Sequence, residues 1–346
     1  MHKINYSDHM ETSTVVLDPS KPKAFLSACP VYNPTPLYRG SICDKSVWIK
    51  DEGQRMGLGA FKALGGVYAV AKLISEKLGM DLDVNKFLSD DVRNIAQNMT
   101  FVCASAGNHG LAVAAGANLF GASSRIHLAE TVPEDFAKRL RAKNAEVVRS
   151  GKDYEASIQA AILDANVNGA IHLADGSWPG YIEPPRLVME GYTVLAEELR
   201  HDFEMNGDWP THVYLQAGVG GFAGAIAYMI RKNWSVQPKI IIVEPNAAPC
   251  VMQSINKGKI CTVGGPVSGM GRLDCKTPSL LAFDILSIAA DECVVISEDE
   301  AEEAVRAAKK FNLNTSPSGA AGLAALLANS EPNPAPLIII TENAIP

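Results

Sequence analysis

The chain has 346 residues, 47% of them hydrophobic, and a formal net charge of −7. That length and apolar content can bury the core of a two-lobed enzyme, and the acidic balance offers no basic field for nucleic acid. No apolar run approaches the roughly 18 residues a membrane helix needs, and Met1 to Pro30 lacks a signal-peptide core, so a cytoplasmic protein without membrane partners is expected.

Along the chain, short apolar runs bounded by turn residues alternate with segments of helical period, the pattern of parallel strands joined by crossover helices in an α/β fold. Strands are expected at 46–50, 100–105, 125–129, 146–149, 170–174, 212–217, 239–243, 292–296 and 337–341. Most are almost wholly apolar, as strands covered on both faces must be. Helices are expected at 59–78, 108–120, 133–143, 154–166, 187–202, 221–232, 248–256, 298–311 and 318–329. Pro133 reads as a first-turn proline and Ser297-Glu-Asp-Glu300 as a capping box. Pro332 to Pro336 reads as a proline-rich turn before the last strand.

The seven cysteines form no Cys-x-x-Cys pair and have no histidine at metal-binding spacing, so neither a zinc site nor a secreted disulfide framework is expected. Cys250 and Cys275 fall on segments that could meet, which leaves a reversible bridge open beside the reading of two free thiols.

Three stretches carry chemistry. In Gly57-Leu-Gly-Ala-Phe-Lys-Ala-Leu-Gly-Gly66, Lys62 falls in the first turn of an expected helix. The positive end of the backbone dipole there disfavours a cation by about 0.3 to 1 kcal/mol, and with burial it would favour the neutral amine that attacks an aldehyde. Taken alone, such a lysine also reads as a solvated surface residue. Ser105-Ala-Gly-Asn-His-Gly110 links an apolar strand to an apolar helix, so its amides can receive a carboxylate or phosphate; Asn108 reads equally as a helix N-cap and His109 as a structural imidazole. Gly218-Val-Gly-Gly-Phe-Ala-Gly224 follows a strand and opens a helix, where glycines admit a phosphate. Gly218, Gly220 and Ala223, with Glu244 closing the next strand, also fit a dinucleotide fingerprint and hence an NAD-dependent oxidoreductase. That alternative leaves Lys62 and the Ser105 turn without a task.

The order Thr35-Pro-Leu, Lys50-Asp-Glu, Phe61-Lys-Ala-Leu-Gly-Gly, Ala106-Gly-Asn-His-Gly, Gln216-Ala-Gly-Val-Gly and Ser318-Gly-Ala-Ala-Gly resembles the fold-type II pyridoxal phosphate enzymes, the threonine dehydratase and tryptophan synthase β group. Arg55-Met-Gly-Leu-Gly-Ala-Phe-Lys, Trp178-Pro-Gly-Tyr181, Met189-Glu-Gly-Tyr-Thr-Val-Leu-Ala196, Val243-Glu-Pro245 and Thr341-Glu342 are similar to its diaminopropionate ammonia-lyase branch. The likeness runs from about Asn33 to Asn343. It implies two doubly wound lobes with mostly parallel sheets and the cofactor in the cleft between them. Residues 1–83 and 172–346 would form the large lobe, 84–171 a small mobile lobe inserted in it, and two chains a homodimer.

By the same resemblance, Lys62 is the Schiff-base lysine with Phe61 beside it, and Asn108 bonds the cofactor's phenolic oxygen. Gly218, Val219, Gly220 and Gly221 cradle its phosphate, and Thr341 places a hydroxyl at the pyridine nitrogen. Ser105, Ala106, Gly107 and His109 would receive the substrate carboxylate. Asp175 and Tyr181 would face the substrate, with Asp175 managing the departing ammonium. The reaction implied is α,β-elimination on a small 3-substituted amino acid, foremost 2,3-diaminopropionate to pyruvate and ammonia. A serine, threonine or 3-hydroxy amino acid dehydratase stays open, as does a non-catalytic sensor. Two departures stand out. Ala106 replaces the aspartate that in the branch serves the D-isomer, which implies L-selectivity, and Ser316-Pro317 replaces a glutamate before the Ser-Gly-Ala stretch.

Overall fold

The computed structural model describes residues 15–42, 45–81, 83–329 and 335–344. Cys43, the first part of the Met1 to Pro30 segment and most of the proline-rich turn lie outside the described residues.

The strands, β1 to β10 in chain order, are Leu37–Ile42, Lys45–Asp51, Thr100–Ala104, Ser123–Leu128, Glu146–Arg149, Ile171–His172, His212–Gln216, Lys239–Pro245, Glu292–Ile296 and Pro336–Ile340. They form a six-stranded sheet in the order β1-β2-β10-β7-β8-β9 and a four-stranded sheet in the order β5-β4-β3-β6. Among the described strands the pairings are parallel except β1 with β2, an antiparallel edge running from Leu37 opposite Lys50 to Ile42 opposite Lys45. β1 escapes a sequence reading because it is an edge strand with a mostly solvated face and lacks the apolar run of its neighbours.

Strand order fixes where ligands can sit. In the small sheet the chain steps outward from β3 to β5 and returns on the other side of β3 as β6; in the large sheet β10 returns between β2 and β7. Both reversals open a crevice beyond the carboxyl ends of the strands. The Ser105 turn and the Asp175 loop emerge at the first, and Thr341 and the Gly218 turn at the second.

Helix boundaries have local causes. The helix Lys62–Leu78 starts three residues later than expected, because Gly57 and Gly59 take φ of +67° and +83°, outside the right-handed helical region. The helix Glu183–Asn206 starts four residues earlier than expected: its prolines sit in the first turn, where no amide hydrogen is needed. Pro133 is the residue before the helix Glu134–Arg141 and not its first turn, with an extended ψ of 147°. The capping box at Ser297 and Glu300 forms as read. Among the described residues, four α-helices have no counterpart among the expected elements: Ser20–Ser27, Val84–Phe87, Asp90–Ala96 and Leu280–Ala289.

Two features hold the Lys62 segment. A buried network of Lys50, Glu52, Arg55 and Glu198 lies beneath it, the Arg55 guanidinium donating to Glu52 and to Glu198 at 2.7 to 2.8 Å and Lys50 Nζ to Glu198 at 2.7 Å. Two cations face two carboxylates, the arrangement in which buried charge is tolerated. The helix Lys62–Leu78 also crosses Glu183–Asn206 at Gly65 and Gly191, where a Cβ on Gly191 would stand 2.7 Å from Gly65 Cα and Leu64 O. Gly191→Ala is therefore expected to cost about 1 to 3 kcal/mol, since backbone on both sides must move. Urea unfolding of the cofactor-free protein measures this, and an unchanged midpoint would contradict it.

Candidate active site

The two crevices merge into one cavity of about 570 Å³. Its wall brings together Phe61, Lys62, Ser105, Ala106, Gly107, Asn108, His109, Asp175, Gly218, Val219, Gly220, Gly221 and Thr341. Tyr181 is not on that wall. Its hydroxyl donates to His172 O at 2.8 Å and accepts from Ala174 N at 3.0 Å, and its ring stacks on Trp178, so it braces the loop carrying Asp175 and does not face the cavity. From the other side Ser177 clamps that loop to the helix Leu280–Ala289, donating through N to Ser279 Oγ at 3.0 Å and accepting from Leu281 N at 2.9 Å.

Lys62 Nζ donates to Asp175 Oδ2 at 2.5 Å. Burial alone would push the ammonium toward its neutral form, but the Asp175 charge, aided by the Tyr192 hydroxyl nearby, outweighs it and holds Lys62 above the ordinary lysine range. Burial raises the Asp175 carboxyl less than Lys62 and His109 lower it, so it lies below the usual carboxylate range. This corrects the expectation of a neutral amine from the helix dipole: a carboxylate at contact distance exceeds a dipole worth under 1 kcal/mol. The free protein carries an ion pair here, with the proton held on Lys62 by the Asp175 carboxylate. The Phe61 ring lies 5.3 Å from Nζ and packs on Tyr192 and Phe222.

Asn108 opens the helix Asn108–Phe120 as its first residue, and Gly107 precedes it without a side-chain cap. The N-cap reading of Asn108 is thus set aside. Its Nδ2 donates instead to Glu342 Oε2, across 234 positions. The Ser105 hydroxyl accepts from Gly107 N at 3.3 Å, and Ala106 presents only a methyl to the cavity. His109 Nε2 donates to Leu173 O at 2.8 Å, which fixes its tautomer; burial lowers its proton affinity, and Nδ1 has no partner.

At the other crevice, Gly220 takes φ of +92° and a Cβ there would meet Ala282 at 3.0 Å; a Cβ on Gly218 would meet Arg272 O and Cys275 Sγ at 3.0 Å. Positions 218 and 220 therefore require glycine, and the turn delivers the open amides of the helix Gly221–Asn233 to the cavity. Gln216 Nε2 donates to Ile339 O, Gly319 O and, at 3.2 Å, Thr341 Oγ1, which frees the Thr341 hydroxyl hydrogen for an acceptor in the cavity. Cys250 and Cys275 flank Gly218 as free thiols, and burial pushes Cys275 up to about 12. Glu244 accepts from Val251 N at 2.8 Å and Met252 N at 2.7 Å and is fully buried, so it caps the helix Cys250–Lys257 and does not reach the cavity.

An amine, a glycine-rich anion cradle and a hydroxyl on the wall of one cavity suit a phosphorylated pyridine aldehyde. The sequence reading quoted Gln216 and Glu342 within motifs but gave neither a role, and it passed over Arg272. No helix among the described residues is long and apolar enough to cross a membrane.

Comparison with known proteins agrees with this chemistry. Residues 29–342 match the family described as pyridoxal-phosphate dependent enzyme. The diaminopropionate ammonia-lyase of Salmonella typhimurium is 33% identical over 322 residues, covering 88% of this chain and 80% of that one. The Escherichia coli K12 protein of the same name is 33% identical over 310 residues, covering 86% and 77%. The crystal structure of the Escherichia coli enzyme in complex with D-serine superposes with a TM-score of 0.85 at 29% identity, covering 94% of this chain and 88% of that one. Maize serine racemase, at 19% identity and a TM-score of 0.76, shares the fold. With its two mostly parallel sheets and its lysine on the wall of the cavity between them, the chain belongs to the pyridoxal-phosphate dependent enzymes of fold type II.

Proposed function

We propose that this protein catalyses α,β-elimination on a 3-substituted L-amino acid, foremost 2,3-diaminopropionate, with pyridoxal phosphate held covalently by Lys62. The observation that carries the reading is the pairing of Lys62 Nζ with Asp175 Oδ2 at 2.5 Å on the cavity wall. When bound, the cofactor supplies an electron sink for the pair left at the α-carbon. The remaining work falls to side chains. Lys62 Nζ, free once substrate is bound, would remove the α-proton. Asp175 receives the β-ammonium and governs its proton as the carbon-nitrogen bond breaks. Amides at Ser105 to Asn108 receive the substrate carboxylate, with His109 beneath them. Thr341 would offer its hydrogen to the cofactor's pyridine nitrogen, and the Gly218 to Gly221 turn would hold its phosphate. Overall one water enters and pyruvate and two molecules of ammonia leave.

We read 84–171 as the smaller lobe, able to close over substrate, and two chains as a homodimer. The similarity to proteins named diaminopropionate ammonia-lyase supports the substrate. The dinucleotide alternative loses support because both oxygens of Glu244 are used by a helix start.

A panel of amino acids assayed for 2-keto acid release tests the reading. The expected result is fastest release from L-2,3-diaminopropionate; faster release from serine or threonine would move the assignment to a dehydratase, and none from any substrate by yellow, cofactor-loaded protein would leave a sensor.

Stereochemistry gives a sharper test. The Ala106 methyl cannot accept a proton, which leaves Lys62 as the base for the α-hydrogen of the L-isomer. Turnover of D-2,3-diaminopropionate is expected to be weaker by about 10² to 10⁴, the usual value of a positioned general base, and Ala106→Asp to raise it. Comparable kcat/KM on the two isomers in the unaltered protein would refute L-selectivity.

A further inference from the structure

Glu342 follows β10 directly after Thr341 and is 4% exposed in the cavity wall. Three segments far apart in sequence reach its carboxylate: Asn108 Nδ2 donates to Oε2, Ser316 Oγ to Oε1, and Arg272 Nε lies 3.4 Å from Oε2. Its backbone is held as well, by Thr315 Oγ1 donating to Glu342 O at 2.7 Å and by a bridge to Ala60. The carboxylate therefore has a fixed place that does not depend on Asn108.

Asn108 does depend on the carboxylate. It is 8% exposed, its helix does not use its side chain as a cap, and its amide has two edges of similar shape but opposite hydrogen-bonding sense. A carboxylate only accepts, so Glu342 dictates which edge it receives. Nδ2 turns to Glu342 and keeps a second hydrogen for another acceptor.

We propose that Glu342 is a positioning residue for the cofactor: by holding the Asn108 amide in one orientation it keeps an N–H available to the cavity, so that the site accepts an anionic ring oxygen and discriminates against a donor. The proposal rests on the reading of Asn108 as the partner of the cofactor's phenolic oxygen. Without Glu342 the amide is free to turn over and present its own oxygen to that anion, a repulsive arrangement.

The test is cofactor titration of cofactor-free protein, followed by the absorbance of the lysine adduct, on Glu342→Ala, Asn108→Ala and the double variant. Each single change is expected to weaken pyridoxal phosphate binding on the order of tenfold, the usual value of a hydrogen bond to a charged group, and the double variant to bind no more weakly than Asn108→Ala alone. Losses that add would show that Glu342 acts independently of Asn108 and would overturn the proposal. If Glu342→Ala does not fold, Glu342→Gln decides: it keeps an acceptor for Asn108 and a donor for the Ser316 hydroxyl, so affinity near the unaltered protein's is expected, and a tenfold loss would overturn the proposal. Failure of the cofactor reading is separate, since unaltered protein would then take up no pyridoxal phosphate at all, and failure of the substrate reading leaves these affinities unchanged.

Discussion

Protein carrying Lys62→Ala is expected to purify colourless and to show no mass increase on a lysine peptide after borohydride reduction in the presence of pyridoxal phosphate. Unaltered protein should be yellow, lose that colour on reduction and carry the adduct on the Lys62 peptide. Elimination should fall at least roughly a thousandfold, because on the proposed reading the same amine both anchors the cofactor and removes the α-proton, and groups acting as a unit are lost together. The cofactor-free variant should stay folded: Lys62 sits at a helix start, and removing the ammonium leaves an Asp175 that is 22% exposed along its side chain and can be solvated. An adduct on another lysine would dismantle the reaction assigned to this cavity.

Asp175→Asn is expected to separate attachment from turnover. In the unaltered protein Asp175 holds the Lys62 proton, so cofactor capture at neutral pH must first displace that proton. The asparagine variant keeps burial and loses the opposing charge, so the amine gives up its proton at lower pH and the rate of cofactor attachment between about pH 7 and 9 rises. Elimination of the ammonium from diaminopropionate should nevertheless drop by about 10² to 10⁴, the usual loss for a positioned acid or base. The pair's effect on stability has a defined window. Asp175, with its depressed pKa, contributes above the ordinary aspartate value near 4 and the contribution fades as pH falls below it; Lys62, with its raised pKa, contributes below the ordinary lysine value near 10.4 and fades above it. Attachment and elimination rates of the variant followed across pH 6 to 10 test this, and a parallel fall in both would refute the division of labour.

Much of the site was legible because its parts are local. The Gly57 to Gly66 run, the Ser105 turn and the Gly218 turn each join one strand or loop to one helix, and the glycines at 218 and 220 are forced by close neighbours and a positive φ. What the sequence hid lies in pairings over long separations. Lys62 and Asp175 are 113 positions apart, so a dipole argument made on the helix alone could not see the carboxylate that reverses it. Tyr181 stands in an aromatic cluster with Trp178 and His172, yet it turns toward the backbone of His172 and Ala174 and away from the cavity. In the fold, strands buried on both faces announce themselves by composition, whereas β1 is a half-wet edge. The helix Leu280–Ala289 is so uniformly apolar that it shows little helical stripe.

The crossing of Gly65 over Gly191 has one more implication. Two backbones in direct touch leave no slack for either rod to roll or slide, and Lys62 begins one of those rods a single turn away. The amine is thus aimed by the scaffold before any small molecule arrives, and capture of the aldehyde asks little reshaping of the protein beyond the departure of a proton.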